Sequence, residues 1–206
     1  MTPTEVPTTT PKKLMTVDEY WDFVNRPEND NRFLELRKGE VIELSRPTRR
    51  HGAVTGNISR IVGNYAFHVR RGYVVSNDSG VILADEPGTV VGPDVGYFTD
   101  AKSFAEIHPK WGEEVPVLAV EVLSPNDKMS EVNEKIEDYL RNGVRLVWLV
   151  DYERRKATVY RPDRTLTVLQ ESDVISGGDE LPGFACRVSD LFGHAEDESQ
   201  PHPPVA

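Results

Sequence analysis

The chain has 206 residues, a length that suits one domain with a sizeable core. Charged residues make up 28% and hydrophobic residues 38%, as in soluble globular proteins, and no apolar run approaches the roughly 18–20 residues that span a bilayer. The net charge of −10 opposes non-specific binding to a polyanion, and the single cysteine excludes an intrachain disulfide or a cysteine-based zinc site. We therefore expect a cytoplasmic protein with no membrane partner.

Both ends of the chain differ in composition from its middle. Residues 1–13 are rich in threonine and proline, and residues 194–206 are rich in acidic residues and proline. Segments of this kind bury too little apolar surface to fold alone, so we predict a disordered tail at each end. Residues 14–193 contain neither an internal repeat nor a linker, and they are predicted to form a single domain.

Helical and strand patterns alternate through the first half of this domain. A capping box of Thr16 and Glu19 begins a first helix, which Pro27 ends. A second helix covers about residues 49–71, because its apolar side chains share one face and Gly72 is placed to end it. The predicted strands of this half are residues 32–36, 41–44, 73–76, 80–83 and 94–98.

The second half contains two continuous apolar strands, residues 117–123 and 145–151, of the kind that a sheet buries on both faces. Between them we predict a helix that Asp127 or Ser130 begins and Gly143 ends. This β–α–β order implies a right-handed crossover and a parallel pair of strands. A hairpin near residues 157–169 and an extended strip at 181–192 complete an α/β domain with a mixed sheet.

Three acidic side chains occupy strand positions: Glu35, Asp94 and Glu121. Glu121 interrupts a run of Val, Leu and Ala, where an unpaired carboxylate is costly to bury. If the strands of Asp94 and Glu121 are neighbours, the two carboxylates meet at one edge of the sheet, where a divalent cation can join them. Oxygen ligands alone favour Mg²⁺ or Mn²⁺. The alternatives are a buried ion pair or a protonated state for Glu121, and a half-exposed strand position for Glu35.

Lys135 borders the apolar stripe of the helix that follows Glu121. Its stem can lie against the core while the ammonium reaches the sheet edge, where it would neutralise Glu121 or orient an attacking water. Spacing alone is equally consistent with a surface ion pair between Lys135 and Glu131, four residues earlier. His51 stands at a helix start, where a solvated ring is the favoured interpretation and a contact to phosphate is the alternative.

Five short stretches give the chain a resemblance to a known family. They are Phe33-Leu-Glu-Leu-Arg-Lys-Gly-Glu40, Pro93-Asp-Val95, Ala119-Val-Glu-Val-Leu-Ser-Pro125, Glu134-Lys-Ile-Glu-Asp-Tyr139 and Gly143-Val-Arg-Leu-Val-Trp-Leu-Val-Asp151. In this order and spacing they resemble the Uma2-like family of the PD-(D/E)XK nuclease superfamily across about residues 14–192. The resemblance implies a restriction-endonuclease-like fold, an α/β architecture with a mixed central sheet flanked by helices and an added β-rich C-terminal region.

The resemblance also implies the roles of the site residues. Asp94 matches the Asp of the PD motif, Glu121 the first acid of (D/E)XK and Glu35 the upstream acid; in the superfamily these acids bind Mg²⁺ and support phosphodiester hydrolysis. Leu123 stands where the motif lysine belongs, and Lys135 occupies the position of a migrated substitute on the following helix.

The implied protein is a Mg²⁺- or Mn²⁺-dependent endonuclease that acts on nucleic acid, with DNA as the expected substrate. Its assembly is open; a homodimer is one option, because nucleases of this fold often pair to cut two strands. Glu35, Asp94 and Glu121 would hold the metal, and Lys135 would position water and stabilise the charged transition state. A binding or assembly module on the same fold, without catalysis, is the alternative. The acidic net charge and Leu123 both favour that alternative.

Overall fold

The computed structural model describes residues 13–125 and 127–193. Both predicted tails, apart from Lys13, lie outside these residues. The described helices are α1 (Val17–Val24), α2 (Arg49–Val69) and α3 (Met129–Arg141). The described strands are β1 (Phe33–Arg37), β2 (Glu40–Leu44), β3 (Tyr73–Ser76), β4 (Val81–Asp85), β5 (Gly88–Val91), β6 (Val95–Phe98), β7 (Leu118–Val122), β8 (Leu146–Asp151), β9 (Lys156–Tyr160), β10 (Leu166–Gln170), β11 (Val174–Ser176) and β12 (Ala185–Arg187). Short 3₁₀ helices lie at Pro27–Asn29, Phe104–Glu106 and Val188–Phe192.

Six strands form a mixed sheet in the order β10–β9–β8–β7–β6–β3. The central strands β7 and β8 are parallel, with Glu121 opposite Leu149, and α3 makes the crossover between them. The remaining neighbours in this sheet are antiparallel. The mixed central sheet and the predicted β–α–β unit are confirmed.

Two helices bury opposite faces of this sheet. On one face, α2 packs its apolar stripe, including Ile58, in a cluster with Val120. On the other face, α3 packs Ile136 in a cluster with Ala119. Because side chains alternate along a strand, Val120 and Glu121 face opposite helices. Glu121 therefore lies on the α3 face.

A second, antiparallel sheet has the order β2–β1–β5–β4. Its strand β5 is buried along its length and pairs with β1 at Val90 and Leu36. The sequence analysis did not predict β5, because four residues next to a turn are too few to show a period. The chain passes from β5 to β6 through Gly92, Pro93 and Asp94, so this strand brings Asp94 towards β1.

Most predicted elements are confirmed, with strand ends shifted by at most two residues. Thr16 and Glu19 form the predicted capping box of α1. The predicted hairpin is β9–β10. The predicted strip at 181–192 contributes Leu181, Val188 and Leu191 to the core on the α2 side of the sheet. Among the described residues, no helix is long and apolar enough to cross a membrane.

The predicted end of α2 differs from the structure. The helix ends at Val69, because Arg70 adopts the left-handed conformation with φ 52° and ψ 40°. Gly72 instead carries the chain into β3, where an added Cβ would lie 2.2 Å from the carbonyl oxygen of Phe98. A close approach of the backbone, and not the helix cap, therefore requires this glycine.

The predicted start of α3 also differs. Lys128 is the N-cap, and neither of the predicted residues, Asp127 and Ser130, caps the helix. The Asp127 carboxylate accepts a hydrogen bond of 2.7 Å from the backbone N–H of Ser124. Asp127 therefore closes the turn after β7, where the chain must leave the sheet before the helix can begin.

The placement of Ile58 can be tested by truncation. This side chain is fully buried, so Ile58→Ala leaves a cavity, and we expect the free energy of unfolding to fall by about 2–5 kcal/mol. Urea denaturation followed by circular dichroism measures the change. The matched control is Gly56→Ala on the exposed side of α2, where a Cβ meets no atom within 4 Å. The control should raise the free energy of unfolding by about 0.5–1 kcal/mol, because alanine favours a helix more than glycine does. If both substitutions had equally small effects, Ile58 would not be packed in the core as described.

Candidate active site

Asp94 and Glu121 lie opposite each other at one end of β6 and β7. The antiparallel register pairs Val95 with Val120. Asp94 precedes Val95 and Glu121 follows Val120, so these two residues also stand opposite each other. Asp94 Oδ2 accepts a hydrogen bond of 2.7 Å from the backbone N–H of Val122, which fixes this carboxylate at the sheet edge. Both acidic side chains line one cavity, so the predicted meeting of the two carboxylates is observed.

Lys135 reaches the same point from α3. Its ammonium lies 2.9 Å from Glu35 Oε1, 2.9 Å from Glu121 Oε1 and 2.8 Å from the carbonyl oxygen of Gly92. A lysine ammonium has three N–H donors, which these three acceptors satisfy. Burial alone would lower the pKa of Lys135, but the charges of Glu121 and Glu35 outweigh it and raise the pKa above its ordinary value.

The position of the motif lysine is filled by an apolar side chain. Leu123 packs in the cluster on the α3 side of the sheet. Glu131 pairs with Lys128 at 2.8 Å, and both of these side chains are exposed. The alternative of a surface pair between Glu131 and Lys135 is therefore wrong. The Lys135 ammonium, reaching from α3, lies 2.9 Å from Glu121 Oε1 instead.

Both carboxylate oxygens of Glu35 are engaged. Oε2 accepts from Nε and Nη2 of Arg37 at 2.8 and 2.5 Å, and Oε1 accepts from the Gly92 N–H at 3.1 Å and from Lys135. The side chain is 2% exposed, so the half-exposed alternative is wrong. Burial opposes ionisation of Glu35, but Lys135 and Arg37 together outweigh it and hold the pKa of Glu35 below its ordinary value.

Glu121 differs from Glu35 in its charge balance. Burial raises the pKa of Glu121 to about 7; the nearby Asp94 and Glu35 add to this rise, and Lys135 opposes it. The hydroxyl of Tyr139 donates a hydrogen bond of 2.8 Å to Glu121 Oε1. Burial raises the pKa of Tyr139 well above its usual value, so the hydroxyl keeps the proton that it donates.

The contact of Tyr139 with Glu121 was not predicted from the sequence, where Tyr139 was placed only in the apolar stripe of the helix. The spacing between Tyr139 and Lys135 could have indicated it. Tyr139 follows Lys135 by four residues, and residues so spaced on a helix lie on the same face.

His51 also belongs to this site. Its Nε2 lies 3.2 Å from Asp94 Oδ1 and the residue is 8% exposed, so the favoured interpretation of a solvated ring is wrong. The hydroxyl of Thr48 caps α2 by accepting from the His51 N–H, which places the ring in the first turn beside the sheet edge. Burial lowers the pKa of His51, but the hydrogen bond and charge of Asp94 outweigh it and raise the pKa above its ordinary value.

Two residues of the site come from segments whose chemistry was not predicted. Burial and the charge of Asp94 raise the pKa of Asp78 to about 6, although its sequence context indicated only a turn. Gly92 donates its N–H to Glu35 and accepts from Lys135. An added Cβ on Gly92 would lie 2.4–2.6 Å from backbone atoms of Asp78, so this approach requires glycine.

The cavity has a volume of about 280 Å³. Charged and polar groups of the site line it: His51, Asp78, Asp94, Glu121 and Lys135. Among residues 13–125 and 127–193, no group of three or more His, Cys, Asp or Glu side chains is arranged to hold a metal ion. Mg²⁺ is commonly held by one or two carboxylates with water and substrate phosphate, so the oxygen donors of Asp94 and Glu121 fit such an ion.

The raised pKa of Glu121 predicts how stability depends on pH. In the folded protein Glu121 keeps a proton up to about pH 7, whereas the unfolded chain loses it near 4.5. The folded state binds more protons across this range, so the free energy of unfolding should fall as the pH rises from about 5 to about 7.

Denaturant titrations in EDTA at several pH values measure this dependence. Glu121→Gln should reduce the fall, because the amide cannot ionise. Glu137→Gln, at an exposed position of α3, is the control and should keep the wild-type dependence. A Glu121→Gln profile with the wild-type slope would contradict the assigned environment of Glu121.

Comparisons with known proteins agree with this architecture. A crystal structure described as "a putative nuclease belonging to DUF820", from Anabaena variabilis, matches with a TM-score of 0.70 at 20% sequence identity. The match covers 86% of this chain and 97% of that chain, and it shows a shared fold. The comparison with curated proteins found no match. The family model Uma2, described as "Putative restriction endonuclease", matches residues 18–189, and the chain therefore belongs to the Uma2 family.

Proposed function

We propose that this protein is a Mg²⁺- or Mn²⁺-dependent endonuclease that hydrolyses phosphodiester bonds in DNA. The observation that carries the proposal is the convergence of Asp94, Glu121 and Lys135 on one cavity, from two neighbouring strands and a helix. Membership of the Uma2 family, described as "Putative restriction endonuclease", supports the same class of reaction.

Asp94 and Glu121 are the metal ligands in this proposal. A divalent cation held there would lower the pKa of a water molecule and stabilise negative charge on a phosphoryl oxygen. Asp94 is already oriented, because the Val122 N–H binds one of its oxygens and His51 lies beside the other. Burial is the main cause of the raised pKa of Glu121, and the charges of Asp94 and Glu35 add to it; a cation joining these carboxylates would relieve that repulsion.

In this proposal, the contacts of Lys135 depend on whether Glu121 holds a cation. All three of its N–H donors are taken by Glu35, Glu121 and the Gly92 carbonyl. A cation held by Glu121 would share its oxygens with the ammonium, and Lys135, which lines the cavity, would then have an N–H to donate there. That donor would bind the attacking water or a phosphoryl oxygen as the bond to the leaving oxygen breaks.

Glu35 acts as a positioning residue in this proposal. The expectation that it is a third metal ligand stays a prediction. Its oxygens already accept from Arg37, Gly92 and Lys135, and this set of contacts supports a role in holding Lys135 against the cavity.

Isosteric substitutions test the proposed catalytic roles. Asp94→Asn and Glu121→Gln should abolish metal-dependent cutting of plasmid and linear DNA, because amides are poor ligands for Mg²⁺. Lys135→Met should lower kcat by about 10²–10³-fold through loss of a charged donor. Gel assays with Mg²⁺ and with Mn²⁺ measure cutting, and circular dichroism verifies folding. Glu134→Gln, beside Lys135 on the exposed side of α3, should cut like the wild type.

The wild-type protein provides the contradicting outcome. If it cuts no DNA with either metal over a range of salt and sequence, the nuclease proposal fails. Cutting by a folded Asp94→Asn variant at the wild-type rate would overturn the assignment of the site.

The role of Glu35 is separable from metal binding. Glu35→Gln should lower kcat while leaving the Mn²⁺ affinity unchanged, because the amide binds Lys135 less strongly but removes no ligand of the cation. Asp94→Asn is the comparison and should lose Mn²⁺ affinity. Isothermal titration calorimetry measures the affinities. A loss of Mn²⁺ binding in Glu35→Gln equal to that in Asp94→Asn would show that Glu35 is a ligand.

A binding or assembly module without catalysis is the second candidate function. One observation favours it: Lys135 lies 2.9 Å from Glu121 Oε1 and offsets part of the cost of burying this carboxyl without any metal. Calorimetry with Mg²⁺ and Mn²⁺ discriminates between the two functions. Binding of neither metal by the wild-type protein, together with an absence of cutting, would favour this second candidate.

A further inference from the structure

Positive charge in this acidic protein is concentrated on α2 and the two residues that follow it. Residues 49–71 include five arginines and neither aspartate nor glutamate, although the whole chain carries a net charge of −10. The first turn of this helix holds His51, which lines the cavity of the candidate active site. The basic segment therefore begins at the site and leads away from it.

The arginines lie on the side of α2 that faces away from the sheet. Arg49 and Arg60 are separated by eleven residues, which is about three turns, so they share one face about 16 Å apart. Arg70 and Arg71 follow the last turn, and all four of these side chains are exposed. Among the described residues, acidic side chains form no ion pair with these four, whereas Arg50 pairs weakly with Glu153 at 3.4 Å.

The surface between these arginines is built from small residues. Gly52, Ala53 and Gly56 are exposed there, and Gly63 continues the same face. A Cβ added to any of the three glycines would meet no atom within 4 Å, so internal packing does not require them. Glycine lowers the stability of a helix relative to alanine. A helix face built from such small residues allows another backbone to approach it closely.

We infer that this basic face of α2, formed by Arg49, Gly52, Gly56 and Arg60 and extended by Arg71, docks the sugar–phosphate backbone of double-stranded DNA. The inference rests on the proposed nuclease function and identifies the surface that would hold the substrate. Arginine binds phosphate through two parallel hydrogen bonds, and such contacts supply most of the affinity for a duplex without reading its sequence.

A duplex fits this face better than a single strand does. Single-stranded nucleic acid is held mainly on aromatic side chains that stack with bases, and the one exposed aromatic residue of α2 is Phe67, near the far end. The 21-residue helix is about 30 Å long, and DNA is stiff over that length, so the two can lie side by side. A second copy of the chain is disfavoured, because a two-fold contact would bring like-charged arginines together.

Salt dependence of DNA binding tests the inference. We would measure the affinity of the full-length protein for a fluorescein-labelled DNA duplex by anisotropy, in EDTA to prevent cutting and at several salt concentrations. Each phosphate contact contributes about 0.9 to the slope of log K against log salt. Arg60→Gln should reduce that slope by about 0.9, and the triple change of Arg49, Arg60 and Arg71 to Gln by about 2.7. Arg164→Gln, at an exposed position in the β9–β10 hairpin, is the matched control and should leave the slope unchanged.

Three outcomes would overturn the inference. The first is a wild-type slope and affinity in the triple variant. The second is tighter binding of an unstructured single strand than of the duplex, with the same dependence on the arginines. The third is a change of oligomeric state of the triple variant in sedimentation, without a change of DNA affinity, which would make this face a contact between copies. Failure of the proposed function has a different result: wild-type protein that binds the duplex through α2 but never cuts it with Mg²⁺ or Mn²⁺.

Discussion

The buried ammonium of Lys135 holds the structure and the candidate site together. It joins Glu35 of one sheet, Glu121 of the other and the carbonyl of Gly92 between them, and it does so from α3. None of these charges is tolerable alone in the interior, because an uncompensated buried ion costs about 3–5 kcal/mol. The two sheets and the crossover helix are therefore held in one relative arrangement by the same contacts that shape the cavity.

The two carboxylates at the cavity differ in the partners that hold them. Asp94 is fixed by a backbone N–H and lies beside His51, so its orientation is set before any ligand arrives. Glu121 contacts Lys135 and Tyr139, and its pKa of about 7 reflects burial that Lys135 only partly offsets. The two carboxylates therefore meet at one cavity in different electrostatic environments.

Local patterns predicted most helices and strands, because helix periodicity and apolar strands can be recognised within short runs of consecutive residues. Glu121 was recognisable as a polar residue inside a buried strand. The partner of Lys135 was not recognisable. The spacing of four residues on the helix fits a pair with Glu131, and only the tertiary packing of the helix on the sheet brings Lys135 to Glu121 instead. The contacts of His51 and Gly92 depend on residues more than 40 positions away, and β5 is too short to show a period. These features arise from tertiary packing and could not be predicted from local sequence.

We propose that Asp94 and Glu121 hold a divalent cation within reach of Lys135. A crystal structure of the protein soaked in Mn²⁺, with anomalous diffraction recorded at the manganese edge, tests this proposal. We predict an anomalous peak between the carboxylates of Asp94 and Glu121, with the Lys135 ammonium still bound to Glu35 but separated from Glu121. A map without a peak at this cavity, in which Lys135 keeps its contact to Glu121, would contradict the account.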